Sequence, residues 1–123
     1  MRLRSLLFVP GDRPERFAKA AASGADAIIL DLEDSVSLAS KEAARAAVAE
    51  YLLGDREVVT LVRVNPLDGH MTAADVAAIA GARPDAIMLP KAEGAPSIQQ
   101  LDTILRSESE RDTSLPPILP IAT

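Results

Sequence analysis

The 123-residue chain has no cysteine and no tryptophan, and only one histidine, one tyrosine and two phenylalanines. Without cysteine, disulfides and thiolate-ligated metals are excluded, and the redox compartment leaves no mark on the sequence. The single histidine, His70, lies in a polar Asp-Gly-His stretch that reads as surface loop, so no histidine-based triad or metal centre is available. Aromatics make up 2% of residues against 48% hydrophobic overall, so Ala, Leu, Ile and Val have to build the core. No apolar run approaches the roughly 20 residues of a membrane helix. Met1 to Val9 is basic and then apolar, but Pro10-Gly11 cuts it off too early for a secretory signal. Basic residues are outnumbered 18 to 13, giving a formal charge of −5, which argues against a nucleic-acid or anionic-membrane surface. The expectation left standing is a soluble, cytoplasmic protein with one domain.

What the chain does have is a sharply acidic strand end. Ala27-Ile-Ile-Leu-Asp-Leu-Glu-Asp34 starts as a buried β-strand and finishes with Asp31, Glu33 and Asp34 crowded together. Like charges this close repel by roughly a kcal/mol per pair even in water. Such a cluster calls for a cation, a basic partner or a shared proton.

Around it the chain alternates strands and helices. Ser5 to Pro10 reads as the first strand, with Asp12 as helix N-cap, Pro14 in the first turn and Glu15 in capping-box register. That helix should run to about Ser23 and stop at Gly24. The second strand is Ala27 to Leu32, followed by a helix capped by Ser40 and running through Leu53. Glu57 to Val64 is the third strand, Thr72 to Ala80 a short helix, and Ala86 to Pro90 the fourth strand. A helix from about Ser97, a polar loop at Ser107 to Ser114 and a fifth strand from Pro117 complete the order βαβαβαβαβ. Near-continuous apolar strands separated by helices mean a parallel sheet covered by helices. Two architectures fit: a doubly wound five-stranded sheet, or the first half of a (β/α)8 barrel. Because the sequence given stops within a strand, the expectation is the barrel half, with residues 1–123 as a single partial domain.

In either fold the chemistry belongs at the C-terminal ends of the strands. Those ends carry Asp31, Glu33 and Asp34, then Arg63 and Asn65, then Lys91 and Glu93. Alternating acids and bases on one rim suit an acidic substrate with a divalent cation, a guanidinium gripping the carboxylate while acids order metal-bound waters. Each residue also has a plainer reading. Arg63 could form a structural ion pair with Glu33 or Asp34, and Asp31 could accept backbone N–H groups in its turn. Lys91 and Glu93 could form a rim ion pair worth under about 1 kcal/mol. Arg13, Arg16 and Lys19 sit where the first helix should begin. The helix dipole disfavours cations there, so they point to an anion such as phosphate or to a solvated helix face.

Four segments in order and at matching spacing carry a resemblance: Phe8-Val-Pro-Gly-Asp-Arg-Pro-Glu-Arg-Phe-Ala-Lys-Ala20, Asp31-Leu-Glu-Asp-Ser-Val36, Arg63-Val-Asn65 and Leu89-Pro-Lys-Ala-Glu93. Together they resemble the citrate lyase beta-subunit family of CoA-ester lyases, within the HpcH/HpaI aldolase–citrate lyase superfamily that includes malyl-CoA lyases. The resemblance implies a (β/α)8 barrel, trimers or hexamers, and Mg²⁺-dependent cleavage of an acyl-CoA into an acetyl thioester and a 2-oxo acid. It implies that Arg63 binds substrate oxygens, that Glu33 and Asp34 hold metal-bound water and line the site, and that Arg13 and Lys19 contact CoA phosphates. Lys91 and Glu93 are the further substrate-binding candidates. The family's two direct metal-ligating carboxylates fall beyond the fifth strand, so no metal ligand is expected within residues 1–123 and that fragment alone should be inactive. The alternatives are a non-catalytic acyl-CoA-binding half-barrel and an aldolase for free carbonyl substrates. A phosphoacceptor receiver fits poorly, because its paired acids, acceptor Asp and Lys would sit on different strands.

Overall fold

The computed structural model describes residues 5–67, 71–79, 82–90, 99–104 and 117–120. Five strands form one sheet: β1 (Leu6–Pro10), β2 (Ala27–Asp31), β3 (Val59–Arg63), β4 (Ala86–Leu89) and β5 (Ile118–Pro120). Between them lie α1 (Phe17–Ala21), α2 (Lys41–Leu53) and α3 (Thr72–Ile79), with residues 99–104 also helical. All four strand pairings are parallel, and the spatial order is the sequence order, β1 to β5.

That order decides between the two architectures. A doubly wound sheet reverses its strand order at a switch point and carries helices on both faces. Here nothing reverses, and right-handed crossovers that step in one direction leave all helices on one side. The packing agrees. Val9, Ile28, Leu30, Val62, Ile87 and Leu89 face the helices, where they meet Phe17, Val48, Leu52, Val76, Ile79 and Leu101 in the main core. The opposite face has its own smaller cluster of strand residues alone, Ala27, Ile29, Leu61 and Met88. A sheet apolar on both faces but helix-covered on one is built to curl upon itself, which is barrel geometry.

The register stacks the inward residues in layers. Phe8, Ile29, Leu61 and Ala86 lie at one level, and Pro10, Asp31, Arg63 and Met88 at the next, towards the C-terminal rim. Large apolar β1 residues remain accessible, with Leu6 at 45% and Phe8 at 47%.

Helix α2 buries Ala44, Val48 and Leu52 and half-buries Ala47 and Tyr51, residues three and four apart that share one helix face. Gly54 ends it. The first helix differs from expectation. Pro14 opens a 3₁₀ turn, Pro14–Arg16, so Arg13 takes the cap position and makes no side-chain capping bond. Asp12 is therefore one residue too early to cap. Helix α1 follows with only five residues, Phe17–Ala21. Gly24, at φ +91°, makes the left-handed turn that leads into β2. Ser40 does hold the cap position of α2, but its side chain makes no capping bond. The start of the helix at Ser97, Gly81, His70, the loop 107–114 and the last residues of the fifth strand lie outside the described residues.

Candidate functional site

Strand β2 ends on Asp31, whose inward parity follows Ala27 and Ile29, and β3 ends on Arg63, its register partner. Two side chains at one level on neighbouring strands meet. Arg63 donates from Nε to Asp31 Oδ1 and from Nη2 to Oδ2, each at 2.7 Å. This two-pronged geometry matches a guanidinium fork to a carboxylate. Asp31 is wholly buried, while the Arg63 side chain is 20% exposed.

The Asp31 carboxylate takes three more donors. The Glu33 N–H reaches Oδ1 at 2.9 Å, and the Ser35 N–H and hydroxyl reach Oδ2 at 3.0 and 2.5 Å. Burial alone would raise its pKa; the Arg63 fork, the Ser35 hydroxyl and the two backbone N–H groups overcome that and hold it at about 2. Arg63 is shifted upward, mainly by the Asp31 hydrogen bonds, with burial opposing and Asp31, Glu33 and Asp34 adding attraction. With five donors on two oxygens, Asp31 has no lone pair to spare for a metal ion. It orders the turn that follows and aims Arg63.

The turn carries the other acids. Glu33 is buried, with Oε1 3.6 Å from Arg63 Nε, and Asp34 is exposed. The ion pair expected between Arg63 and Glu33 or Asp34 is thus made chiefly with Asp31. The reason is strand alternation, which puts Asp31 in the same inward layer as Arg63. Below, the centroid of the Phe8 ring lies 4.6 Å from Arg63 Cζ, a cation–π contact. Phe8 was not among the candidate site residues, although the β1 register places it one layer beneath the rim. Arg63 Nη1 has no hydrogen-bond partner among the described residues.

The basic residues near the first helix divide. Arg13 is exposed beside the 3₁₀ turn. Arg16 and Lys19 line a groove of about 520 Å³ with Leu7, Phe8, Val9, Pro10, Ala20 and Ser23. Because α1 has only five residues, the helix dipole is no reason for an anion to bind there. Lys91 and Glu93 lie outside the described residues. Among the described residues no group of three or more acids or histidines is placed to hold a metal ion, and no helix is long and apolar enough to cross a membrane. With Asp31 saturated, the described donor set does not make a direct cation site.

The fold and rim define a parallel α/β barrel-type sheet with a carboxylate-held arginine at its C-terminal mouth. Residues 4–115 match the HpcH/HpaI aldolase/citrate lyase family, and the chain belongs to that family. A citrate lyase subunit beta-like protein from Mycobacterium tuberculosis is 47% identical over 108 residues, which cover 85% of this chain and 38% of that protein. The L-malyl-CoA/beta-methylmalyl-CoA lyase of Cereibacter sphaeroides is 43% identical over 108 residues, covering 83% of this chain and 34% of its own length. The crystal structure of protein CitE from Mycobacterium tuberculosis in complex with magnesium, acetoacetate and coenzyme A superposes with a TM-score of 0.72 at 42% identity, over 96% of this chain and 39% of that one. A citrate lyase beta subunit from the same organism, complexed with oxaloacetate and magnesium, gives 0.72 at 43% identity over 94% of this chain and 45% of its own. The chain spans less than half the length of the relatives it matches, and its α/β order is that of the first part of their barrel.

Proposed function

We propose that this chain supplies the N-terminal half of a (β/α)8 carbon–carbon lyase. The enzyme would act on an acyl-CoA of the citryl-CoA or malyl-CoA type and release an acetyl thioester and a 2-oxo acid. The supporting observation is Arg63. Asp31 holds one edge of its guanidinium and Phe8 its face, while Nη1 is unpaired among the described residues at the rim. A guanidinium held on one edge by Asp31, with no partner for Nη1 among the described residues, suits the carboxylate and adjacent oxygen of a 2-oxo acid.

Cleavage passes the proton of the substrate hydroxyl to a general base, which this reading does not place among residues 1–123, and breaks the bond between the hydroxyl-bearing carbon and the carbon next to the thioester. That bond's electron pair passes to the departing acetyl thioester as its enolate, which is then protonated on carbon. Arg63 orients the 2-oxo acid portion and stabilises charge on its oxygens, an effect worth several kcal/mol in a preorganised site. Mg²⁺ is the proposed cofactor and supplies Lewis-acid polarisation when bound. Its direct ligands are assigned outside residues 1–123, and Glu33 and Asp34 to hydrogen bonds with its waters and to lining the site. Lys91 and Glu93 are assigned to substrate, and Arg13 and Lys19 to the CoA phosphates. The position of Lys19 with Arg16 on the groove beside β1 supports an anionic ligand on that side. The assembly is proposed to be a trimer or hexamer.

The test is Arg63→Ala in the intact protein. Affinity for oxaloacetate in the presence of Mg²⁺ should fall about a hundredfold, roughly 3 kcal/mol, with CoA affinity within about twofold. Equal losses of both would reduce Arg63 to a structural role. Residues 1–123 expressed alone should show no lyase turnover with Mg²⁺, and measurable turnover would overturn this division of the site. An aldolase for free carbonyl substrates would keep its cleavage rate when Arg13 and Lys19 are neutralised. A non-catalytic acyl-CoA binder would bind CoA without oxaloacetate.

A further inference from the structure

A second buried carboxylate lies behind the rim. Asp75, in the first turn of α3, is fully buried. Its Oδ2 accepts the Asn65 backbone N–H at 2.7 Å and Asn65 Nδ2 at 2.8 Å, and its Oδ1 accepts Arg45 Nε at 2.7 Å. Asn65 Nδ2 also donates to the Leu32 carbonyl at 2.8 Å. Both partners of that amide group are acceptors, so its orientation is determined and both its hydrogens are used. Thr72 Oγ1 donates to the Asn65 carbonyl at 3.0 Å. Lys41 Nζ, from the start of α2, donates to the carbonyls of Leu32, Glu33 and Val36 at 2.9, 3.1 and 3.2 Å.

These bonds converge on one segment. Leu32 to Val36 carries both rim acids, and its backbone is tied to Asp31 on the site side and to Asn65 and Lys41 on the helix side. Asp75 fixes Asn65, and Arg45 from α2 neutralises Asp75. A carboxylate with no accessible surface is costly unless fully paired, and this one is paired with a link in the chain that reaches the acidic turn.

We propose that Asp75 is a positioning residue for the acidic turn: through Asn65 it sets where Leu32 and Glu33 stand relative to Arg63. Its effect on ligand affinity rests on the reading of Arg63 and Glu33 as the 2-oxo acid site; its effect on the turn does not. A plain helix-stabilising role for Asp75 makes a different prediction. It would move the melting temperature and leave the turn in place.

The experiment compares Asp75→Asn and Asn65→Ala with Ile79→Ala, a fully buried α3 residue outside the network, at matched loss of melting temperature. Asn65→Ala removes the link while keeping the Asp75–Arg45 pair, which covers the case in which Asp75→Asn fails to fold. Amide hydrogen exchange at Glu33, Ser35 and Val36 should speed up about tenfold in both network variants, with Ile28 to Leu30 unchanged, and not in Ile79→Ala. In the intact protein both network variants should weaken oxaloacetate binding about tenfold, with CoA affinity within about twofold. Exchange at the turn no faster than in Ile79→Ala overturns the positioning role. Faster exchange with unchanged oxaloacetate affinity, while Arg63→Ala still weakens it, confines Asp75 to the turn and overturns its effect on the site. If Arg63→Ala has no effect either, it is the reading of the 2-oxo acid site that has failed.

Discussion

The Gly11 N–H donates to the carbonyl of Asp31 at 2.8 Å, and the two backbones approach so closely that a Cβ on Gly11 would lie 2.6 Å from that oxygen. It would also come within 3.2 Å of Leu32 Cδ2 and Val48 Cγ2. The obstacle nearest to it is backbone, which cannot rotate away. Gly11→Ala should therefore cost about 2–3 kcal/mol, the range for overpacking a tight site, and push the end of β2 out of register with β3. Denaturant unfolding measures the first effect. The second would show as a changed Arg63 Nε–H resonance. A melting temperature within a degree of the parent would mean that the loop after β1 can retreat.

Asp31→Asn keeps the shape and removes the charge. One oxygen remains to accept, but the new NH₂ faces donors, so the Arg63 fork and the Ser35 contacts cannot both be satisfied. Removing one partner of a largely buried ion pair typically costs about 3 kcal/mol. The loss should exceed that of Glu33→Gln, whose carboxylate stands 3.6 Å from Arg63 Nε rather than 2.7 Å. Equal losses in the two variants would deny Asp31 its place as the main partner.

The same carboxylate sets a pH dependence. Held at about 2 in the folded chain against an ordinary 3.8, Asp31 gives up its proton more readily when folded. Its stabilisation is complete above about pH 5 and is lost as pH falls through 3.8 towards 2, amounting to about 2 kcal/mol. Unfolding curves from pH 6 down to 2 should show the parent converging on Asp31→Asn in that window. A gap between the two that stays constant with pH would contradict the depressed pKa.

Much of the fold was legible because each strand is a short apolar run closed by a turn signal. The faces of the strands were harder to read. Ile28 and Leu30 point to the helices while Ala27 and Ile29 point inward, yet all four are apolar, so alternation left no visible trace. The sequence shows three acids after one strand and an arginine ending another. The pairing of Asp31 with Arg63 depends on parity and register together. The expected cap at Asp12 failed for a local reason, since Pro14 occupies the first position of the turn and moves the cap to Arg13. The network of Arg45, Asn65 and Asp75 joins residues 10 to 30 positions apart, a separation at which spacing carries no signal. Asp75 in particular reads as an ordinary acidic first-turn residue.

Phe8 offers the last test, because its contribution to the site rests on the face of a ring. Its distance from Arg63 Cζ is 4.6 Å, and nearly half of its surface is accessible, so a cation–π contact here is worth about 0.5–1 kcal/mol. Phe8→Leu keeps apolar bulk and removes the ring quadrupole. Arg63→Met keeps the stem and removes the cation. A double-mutant cycle on stability should return a coupling of about 0.5–1 kcal/mol between them, beyond their separate costs. In the intact protein Phe8→Leu should also weaken oxaloacetate binding about threefold, since a guanidinium free to tilt loses part of its orientation. Zero coupling would make the stacking incidental and leave the carboxylates, chiefly Asp31, responsible for holding Arg63.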